Sequence, residues 1–200
     1  TGGSVDDWGG DDWGGGILCD NSSPILDNLI IRNNDGGSHG GGIAAVGSCN
    51  IEVSNSIINN NTAITGGGVY CNNAALILNR VQITHNAANS GGGLSSNNIS
   101  SNQSIVYNTT FAYNSAPNGP EILSGGSISL INSIIYGNVS TSGGNIFASY
   151  SNMNSIWTWD EFIHGEGNFY SNEICFNSND FSLNDNSPCI DAGTSDLDGD

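Results

Sequence analysis

Apolar positions of the chain recur with a period of about 25 residues. A Gly-Gly-Gly triplet followed by an aliphatic residue begins at Gly14, Gly40, Gly66 and Gly91, at intervals of 26, 26 and 25 residues. The aliphatic residues form one column, which weaker matches extend to six members: Ile17, Ile43, Val69, Leu94, Ile122 and Ile146. Because a single repeat of this kind cannot bury its apolar face alone, we expect the repeats to stack around one continuous core.

Two further apolar columns mark short strands in each repeat. They consist of Leu26, Val53, Leu78, Val106 and Leu130, and of Ile31, Ile58, Ile83, Phe111 and Ile135. Each coil therefore has three predicted strands of about 3 to 5 residues, joined by tight turns and stacked at about 4.8 Å. A Greek-key sandwich is a poorer interpretation, since it gives no reason for one residue type to recur at the same phase. The prediction is an all-β parallel β-helix of about six to seven coils, each of roughly 24–28 residues.

The predicted coils occupy residues 14–146. Residues 1–13 are acidic and rich in tryptophan and glycine, and are expected to form an N-terminal cap or contact segment. Residues 147–200 are predicted to be an irregular closing segment. The chain begins at Thr1 instead of Met, so we expect a processed or excised piece of a longer product.

Two asparagine-rich columns accompany the aliphatic ones. The first contains Asn34, Asn61, Asn86, Asn114 and Asn138, and the second, six residues earlier, contains Asn28, Asn55, Arg80, Asn108 and Asn132. Side-chain amides at one phase can hydrogen-bond to each other along a stack, as they do in stacked strands. Both columns are therefore predicted to be internal ladders, with a sugar-binding strip as the alternative.

One outward column is less polar than the others. It consists of Ile30, Ile57, Gln82, Thr110 and Ile134. Its three isoleucines predict an apolar strip that could form a lateral interface. If the phase is wrong by one residue, the same side chains belong to the core.

The composition limits the classes of partner. Only 2 Lys and Arg residues stand against 19 Asp and Glu, which gives a net charge of −17. Nucleic acids, anionic membranes and acidic polysaccharides would be repelled, whereas divalent cations would be attracted. The 31 Asn and 29 Gly residues disfavour long helices, and no apolar run reaches the roughly 18 residues of a membrane span, so no membrane insertion is expected.

Acidic residues and tryptophans cluster toward the two ends of the chain. The candidate Ca²⁺ ligands are Asp6, Asp7, Asp11 and Asp12 in a repeated Asp-Asp-Trp-Gly-Gly unit, and Asp196, Asp198 and Asp200. The alternative is a solvated acidic linker. The tryptophans are Trp8, Trp13, Trp157 and Trp159, which are expected either to cap the ends of the solenoid or to form contact surfaces there.

The chain has five cysteines, and none of them forms a Cys-x-x-Cys pair, which disfavours a zinc or thioredoxin-like site. Cys175 and Cys189 lie close in sequence and are predicted to form a disulfide, with two buried free thiols as the alternative. Of Cys19, Cys49 and Cys71, at most two can pair with each other.

The segment from Gly40 to Ala63, with its Gly-Gly-Gly-Ile start and two spaced asparagines, resembles the parallel β-helix repeats of large secreted bacterial surface proteins. The motif Ser-Pro-Cys-Ile-Asp-Ala-Gly at residues 187–193 is similar to the closing segment of such domains. The resemblance implies a right-handed winding related to that of pectate lyases, and a secreted, cell-surface location. It implies no particular activity, because fold does not fix function.

Two functions follow as hypotheses. The leading one is a noncatalytic extracellular structural or adhesive module that forms homo-oligomers or filaments. The alternative is a carbohydrate-binding or carbohydrate-active β-helix, which would need carboxylates that converge on neighbouring coils. The acids of the repeat region are scattered, Arg80 occupies an asparagine position, and His39, His85 and His164 fall at different phases. The sequence therefore favours the noncatalytic interpretation.

Overall fold

The computed structural model describes residues 12–97, 103–153, 162–168 and 177. These residues form short strands and turns and contain no helix. The strands in chain order are β1 (Ile17–Asp20), β2 (Ile25–Asp27), β3 (Ile30–Arg32), β4 (Ile43–Val46), β5 (Asn50–Ser54), β6 (Ile57–Asn59), β7 (Val69–Asn72), β8 (Ala75–Asn79), β9 (Gln82–Thr84), β10 (Leu94–Asn97), β11 (Ser104–Tyr107), β12 (Thr110–Ala112), β13 (Ile122–Ser124), β14 (Ile128–Ile131), β15 (Ile134–Tyr136), β16 (Val139–Thr141), β17 (Ile146–Ser149), β18 (Asn152–Met153) and β19 (Phe162–His164).

Each of the first six coils contributes one strand to each of three parallel sheets, and β19 adds a seventh strand to the second sheet. The first sheet has the order β1-β4-β7-β10-β13-β16, the second β2-β5-β8-β11-β14-β17-β19, and the third β3-β6-β9-β12-β15-β18. Strands therefore pair with their counterparts in the next coil and not with their chain neighbours. The predicted all-β parallel solenoid is confirmed, and the right hand of its winding stays a prediction.

The core lies between the three sheets and runs along the stack. The predicted inward columns are in register, since Ile58 pairs with Ile31 on one side and with Ile83 on the other. All three side chains are buried. The phase of the repeat is therefore as predicted, and the isoleucines of the strip face outward instead of belonging to the core.

The glycine triplets let adjacent coils approach closely. Gly40 has φ of +67°, a left-handed conformation that favours glycine. At Gly41 a Cβ atom would lie 2.4 Å from the carbonyl oxygens of both Thr62 and Gly67. The repeated triplet thus marks a turn where backbone packs directly against backbone.

The second asparagine column forms a corner of the coil. Its members all have positive φ, between 46° and 55°: Asn28, Asn55, Arg80, Asn108 and Asn132. Asn55 donates from its side chain to Asp27, and Asn108 to Asn79, so these amides contact residues outside the column. The predicted ladder is therefore not formed by the side-chain amides of Asn55 and Asn108. Asparagine suits this column because it tolerates the left-handed conformation.

Strand pairing continues beyond residue 146, where the irregular closing segment was predicted to begin. β18 extends the third sheet, and β19 pairs with β17 in the second. The described residues therefore remain part of the solenoid as far as His164. At the other end, Trp13 forms a bridge with His39, so the last residue of the predicted N-terminal segment already belongs to the stack.

Candidate functional site

Four asparagines of the first column form a continuous ladder inside the solenoid. In Asn34 the backbone N–H and the side-chain amide both donate to Oδ1 of Asn61, at 3.0 and 2.9 Å. The same pair of bonds joins Asn61 to Asn86 and Asn86 to Asn114. Asn61, Asn86 and Asn114 also donate to the backbone carbonyls of Ile31, Ile58 and Ile83, respectively. These amides are buried and bonded internally, so they do not form a sugar-binding strip.

The ladder ends on a carboxyl group and not on the fifth asparagine. Asn114 donates from its backbone N–H and from its side-chain amide to the two carboxyl oxygens of Glu121. Asn138 is only half-buried, and its backbone carbonyl accepts a hydrogen bond from the N–H of Glu121. The prediction that Asn138 continues the ladder is therefore wrong. The cause is a shortened coil, since Val139 pairs with Ile122 and the turn formed by residues 114–120 has no counterpart.

Glu121 is a buried ionisable residue that was not predicted from the sequence. It follows Gly119 and Pro120 at the position of the third triplet glycine, and its side chain fills the place of the missing amide. Gly137 leaves space for it, because a Cβ atom there would lie 2.5 Å from Oε1 of Glu121. Burial raises the pKa of this carboxyl from 4.5 to about 8, although the two bonds from Asn114 lower it. The replacement of Gly by Glu in an otherwise regular column was the available signal.

A second internal ladder uses hydroxyl groups. Each of its hydroxyl oxygens accepts from the backbone N–H of the preceding coil, and the members are Ser56, Thr109, Ser133 and Ser151. Each hydroxyl also donates to the carbonyl two residues before it. These residues follow the positive-φ corner directly, so hydroxyls satisfy backbone groups where the strands change direction.

The outward face of the third sheet carries the predicted apolar strip. Ile30 is 63% exposed, whereas Ile57 and Ile134 are half-buried. Ile30 pairs in register with Ile57, but Gln82 and Thr110 separate these two from Ile134. The strip is thus interrupted, and its exposed part lies at the first coil.

The first coil exposes large aliphatic side chains on all three sheets. Besides Ile30, Leu18 of the first sheet is 50% exposed and Ile25 of the second is 73% exposed. In the next coil, Ala44 and Glu52 occupy the positions of Leu18 and Ile25. Of the five large hydrophobic residues that are exposed in the described part of the chain, these three lie on the first coil, whereas Ile64 and Phe147 lie elsewhere.

A groove of about 310 Å³ lies on the outward face of the first sheet. Its floor is formed by Tyr70, Ser95 and Leu123, which occupy one outward column of successive strands. Ser95 lies between two larger residues, and this difference in size creates the depression. Tyr70 and Leu123 are both buried, although their side chains point away from the core.

An aromatic cluster, defined here as Trp13, His39 and Tyr70, adjoins the groove, which His39 and Tyr70 line. The rings of Trp13 and His39 are stacked, with centroids 4.3 Å apart, and Tyr70 lies 4.5 Å from His39 at a tilt of 56°. Thr65 and Ser90 lie in register with His39, and the three residues form one wall of the groove. Trp13 was predicted to cap an end of the solenoid or to form a contact surface there, and its ring stacks on His39 of the next coil.

The opposite wall of the groove is polar and more exposed. Asn97, Gly125 and Ser142 line it, and the N–H of Gly125 donates to the carbonyl of Ser96 at 2.6 Å. Side-chain oxygens of Asn97 and Ser142 lie near Gly125, where a Cβ atom would come within 2.9 and 3.3 Å of them. Of the described lining residues, none is Asp, Glu, Lys or Arg. The described lining thus offers aromatic rings, hydroxyls and an amide, and no carboxylate, ammonium or guanidinium group.

The three histidines occupy different surroundings. His39 belongs to the groove, whereas His85 is at a positive-φ corner and packs against Tyr113 at 5.2 Å. Burial, and to a smaller extent Tyr136, raises the pKa of Tyr113. His164 ends β19. Of the histidines whose side chains the structure describes, His39 lines the groove and His85 does not.

Most of the terminal candidate residues lie outside the described residues. These are Asp6, Asp7, Asp11, Asp196, Asp198, Asp200, Trp8, Trp157, Trp159, Cys175 and Cys189. Asp12 is described, and its backbone carbonyl accepts from the N–H of His39. No group of three or more His, Cys, Asp or Glu within the described ranges could hold a metal ion. Calcium binding and the disulfide therefore stay predictions.

The remaining cysteines are buried inside the first coils. Cys19, Cys49 and Cys71 are free thiols. The sulfur of Cys49 lies 3.2 Å from the carbonyl oxygen of Cys19 and 2.9 Å from that of Val46. Burial raises the pKa of Cys19, and the neighbouring Cys49 raises it further.

The part of the chain that the structure describes offers no helical segment with the length and hydropathy of a membrane span. No protein-family model matches this sequence, and no curated protein or solved structure matches it.

Proposed function

We propose that this chain is a noncatalytic extracellular module, structural or adhesive, that associates with further copies of itself. The observation that carries the proposal is the exposure of Leu18, Ile25 and Ile30, one on each sheet of the first coil. Apolar area that is removed from water contributes about 25 cal/mol per Å², so a contact that covers these side chains is favourable. The resemblance of the repeat to bacterial surface proteins supports a secreted, right-handed β-helix at the cell surface.

Electrostatic repulsion opposes such an association. Each copy carries a net charge of −17, so two copies repel each other at low ionic strength. At 0.1 M salt the Debye length is about 10 Å, so repulsion between charges that lie farther apart than this is largely screened. The apolar contribution to the contact remains. Association should therefore strengthen with added NaCl. If the terminal aspartates bind Ca²⁺, this ion should strengthen association more than NaCl does at the same molar concentration.

Sedimentation velocity over a range of protein concentrations tests the proposal. The wild type is expected to form species larger than the monomer, more of them at about 0.5 M than at about 0.02 M NaCl. The double variant Ile25→Ser/Ile30→Ser should remain monomeric under the same conditions. Ile134→Ser is the matched control, because this isoleucine occupies the same column as Ile30 but is half-buried, and it should associate like the wild type. A wild type that stays monomeric at every concentration, with and without Ca²⁺, contradicts self-association.

Electron micrographs of the associated material distinguish its forms. Stacking along the axis gives filaments, whereas a lateral contact through the first coil gives pairs or small bundles. The carbohydrate-binding alternative is favoured by one specific observation, the groove on the first sheet, which is independent of self-association.

A further inference from the structure

We propose that the groove on the outward face of the first sheet binds an uncharged oligosaccharide segment. The site consists of the floor residues Tyr70, Ser95 and Leu123 and the wall residues His39, Thr65 and Ser90. Its volume of about 310 Å³ lies at the lower end of the range for small-molecule sites, which begins at about 300 Å³. It therefore fits one or two sugar rings and not a large ligand.

The shape of the site follows from the strand register. Ser95 pairs with Tyr70 in the preceding coil and with Leu123 in the following coil. Since coils are separated by about 4.8 Å, a small side chain between two large ones leaves a hollow about two coil spacings long. The hollow runs parallel to the solenoid axis, which suits an elongated ligand.

The chemistry of the walls selects the ligand class. Thr65 and Ser90 are bridge partners, so their hydroxyls recur at the coil spacing along one wall. Asn97 and Ser142 supply an amide and a hydroxyl on the opposite wall. Hydroxyl and amide groups can both donate and accept hydrogen bonds, as the hydroxyl groups of a sugar do. A chain of sugar rings is thus complementary to both walls.

His39 on the wall and Tyr70 on the floor give the groove an aromatic surface, and Trp13 packs against both rings. Trp13 stacks on His39, and His39 contacts Tyr70, so the position of each ring is fixed by its neighbour. An immobilised ring loses little conformational entropy when a ligand packs on it. The C–H faces of a sugar ring provide the apolar partner, while the sugar hydroxyls remain directed toward the polar walls.

Charge excludes acidic sugars from the same site. The described lining residues include no Lys or Arg to pair with a carboxylate, and the net charge of −17 repels anions over the whole surface. A uronate oligomer should therefore bind far more weakly than a neutral oligosaccharide of equal length.

Isothermal titration calorimetry of the full chain with defined probes tests the site. The probes are cellotetraose, mannotetraose and maltotetraose as neutral oligosaccharides, and tetragalacturonate as the acidic comparison. At least one neutral probe is expected to bind, and tetragalacturonate should bind at least about tenfold more weakly than that probe. The absence of binding by all three neutral probes, or equal binding by the acidic probe, overturns the proposal.

The variant Ser95→Leu tests whether the ligand binds in the hollow at Ser95. Leucine already occupies this column at Leu18 and Leu123, so the strand register accepts it while the side chain fills the hollow. We expect about a tenfold or larger loss of affinity for the bound neutral probe. Thr110→Leu, an outward substitution on the third sheet, should bind like the wild type, and circular dichroism melts should show both variants folded. Wild-type affinity in folded Ser95→Leu overturns the assignment, whatever the state of self-association.

Discussion

Asn114 donates two hydrogen bonds to the carboxyl group of Glu121, one from its backbone N–H and one from its side-chain amide. The internal ladder of uncharged amides thus terminates on a group that can ionise. An amide oxygen accepts both bonds at every earlier step, whereas here two carboxyl oxygens share them. A ladder that is insensitive to pH along most of its length therefore becomes sensitive at its last step.

The stability of the solenoid should decrease as pH rises because of Glu121. Burial raises its pKa from 4.5 to about 8, so the folded state retains a proton that the unfolded chain releases. The contribution to the free energy of unfolding is complete below about pH 4.5 and is lost as the pH rises through about 8. Since one pKa unit corresponds to about 1.4 kcal/mol, the loss is on the order of a few kcal/mol.

The variant Glu121→Gln should remove this dependence. Glutamine offers an amide oxygen to Asn114, as the asparagines of the ladder do, and it carries no proton that titrates in this range. Urea unfolding midpoints between about pH 5 and pH 9 should fall for the wild type and change less for the variant. Glu52→Gln, on the outer face of the second sheet, controls for the change in net charge. A variant with the same pH profile as the wild type would show that Glu121 is not buried in this way.

Interior members of the ladder should matter more than Asn138. Asn86→Ala removes an amide oxygen that accepts from the backbone N–H and the side chain of Asn61, and an amide group that donates to Asn114 and to the carbonyl of Ile58. The buried backbone N–H of Asn61 and the carbonyl of Ile58 lose these bonds. Each unsatisfied buried polar group costs about 1–3 kcal/mol, so the free energy of unfolding should fall by at least about 2 kcal/mol. Asn138→Ala removes a half-buried amide that the ladder does not use, and its effect should stay below about 1 kcal/mol.

Urea unfolding followed by circular dichroism compares the two variants with the wild type. Asn89→Ala, an exposed loop substitution, controls for the loss of an asparagine as such. Equal effects of Asn86→Ala and Asn138→Ala would contradict the termination of the ladder at Glu121.

The regular coils were predictable because the same physical requirement recurs in every repeat. The inward position of Ile58 and the need for glycine at Gly41 each reappear at a fixed interval, so periodicity alone reveals them. The role of Glu121 was not predictable in this way, because it lies next to a shortened coil. The asparagine column read from the sequence includes Asn138 at this point, although Asn138 does not belong to the ladder. The groove was also missed, since it depends on the sizes of Tyr70 and Ser95 in adjacent coils and not on a repeated residue.

The thiols of Cys19, Cys49 and Cys71 should be protected in the folded protein. All three are buried, and the raised pKa of Cys19 reduces its fraction of reactive thiolate. Reaction with a chromogenic disulfide reagent at neutral pH should therefore be slow in buffer and rapid in urea. The final count in urea, without reductant, also tests the predicted disulfide between Cys175 and Cys189.

The chain has five cysteines, so a disulfide between Cys175 and Cys189 leaves three reactive thiols in urea, whereas five react if that pair is reduced. Prior reduction followed by removal of the reductant should give five in both cases, which calibrates the count. Rapid reaction of three thiols in buffer would show that the first coils open easily, since a reagent cannot reach a buried sulfur without local unfolding. Because the exposed aliphatic residues lie on the same first coil, association of copies there should slow that opening, and the rate in buffer should fall as protein concentration rises.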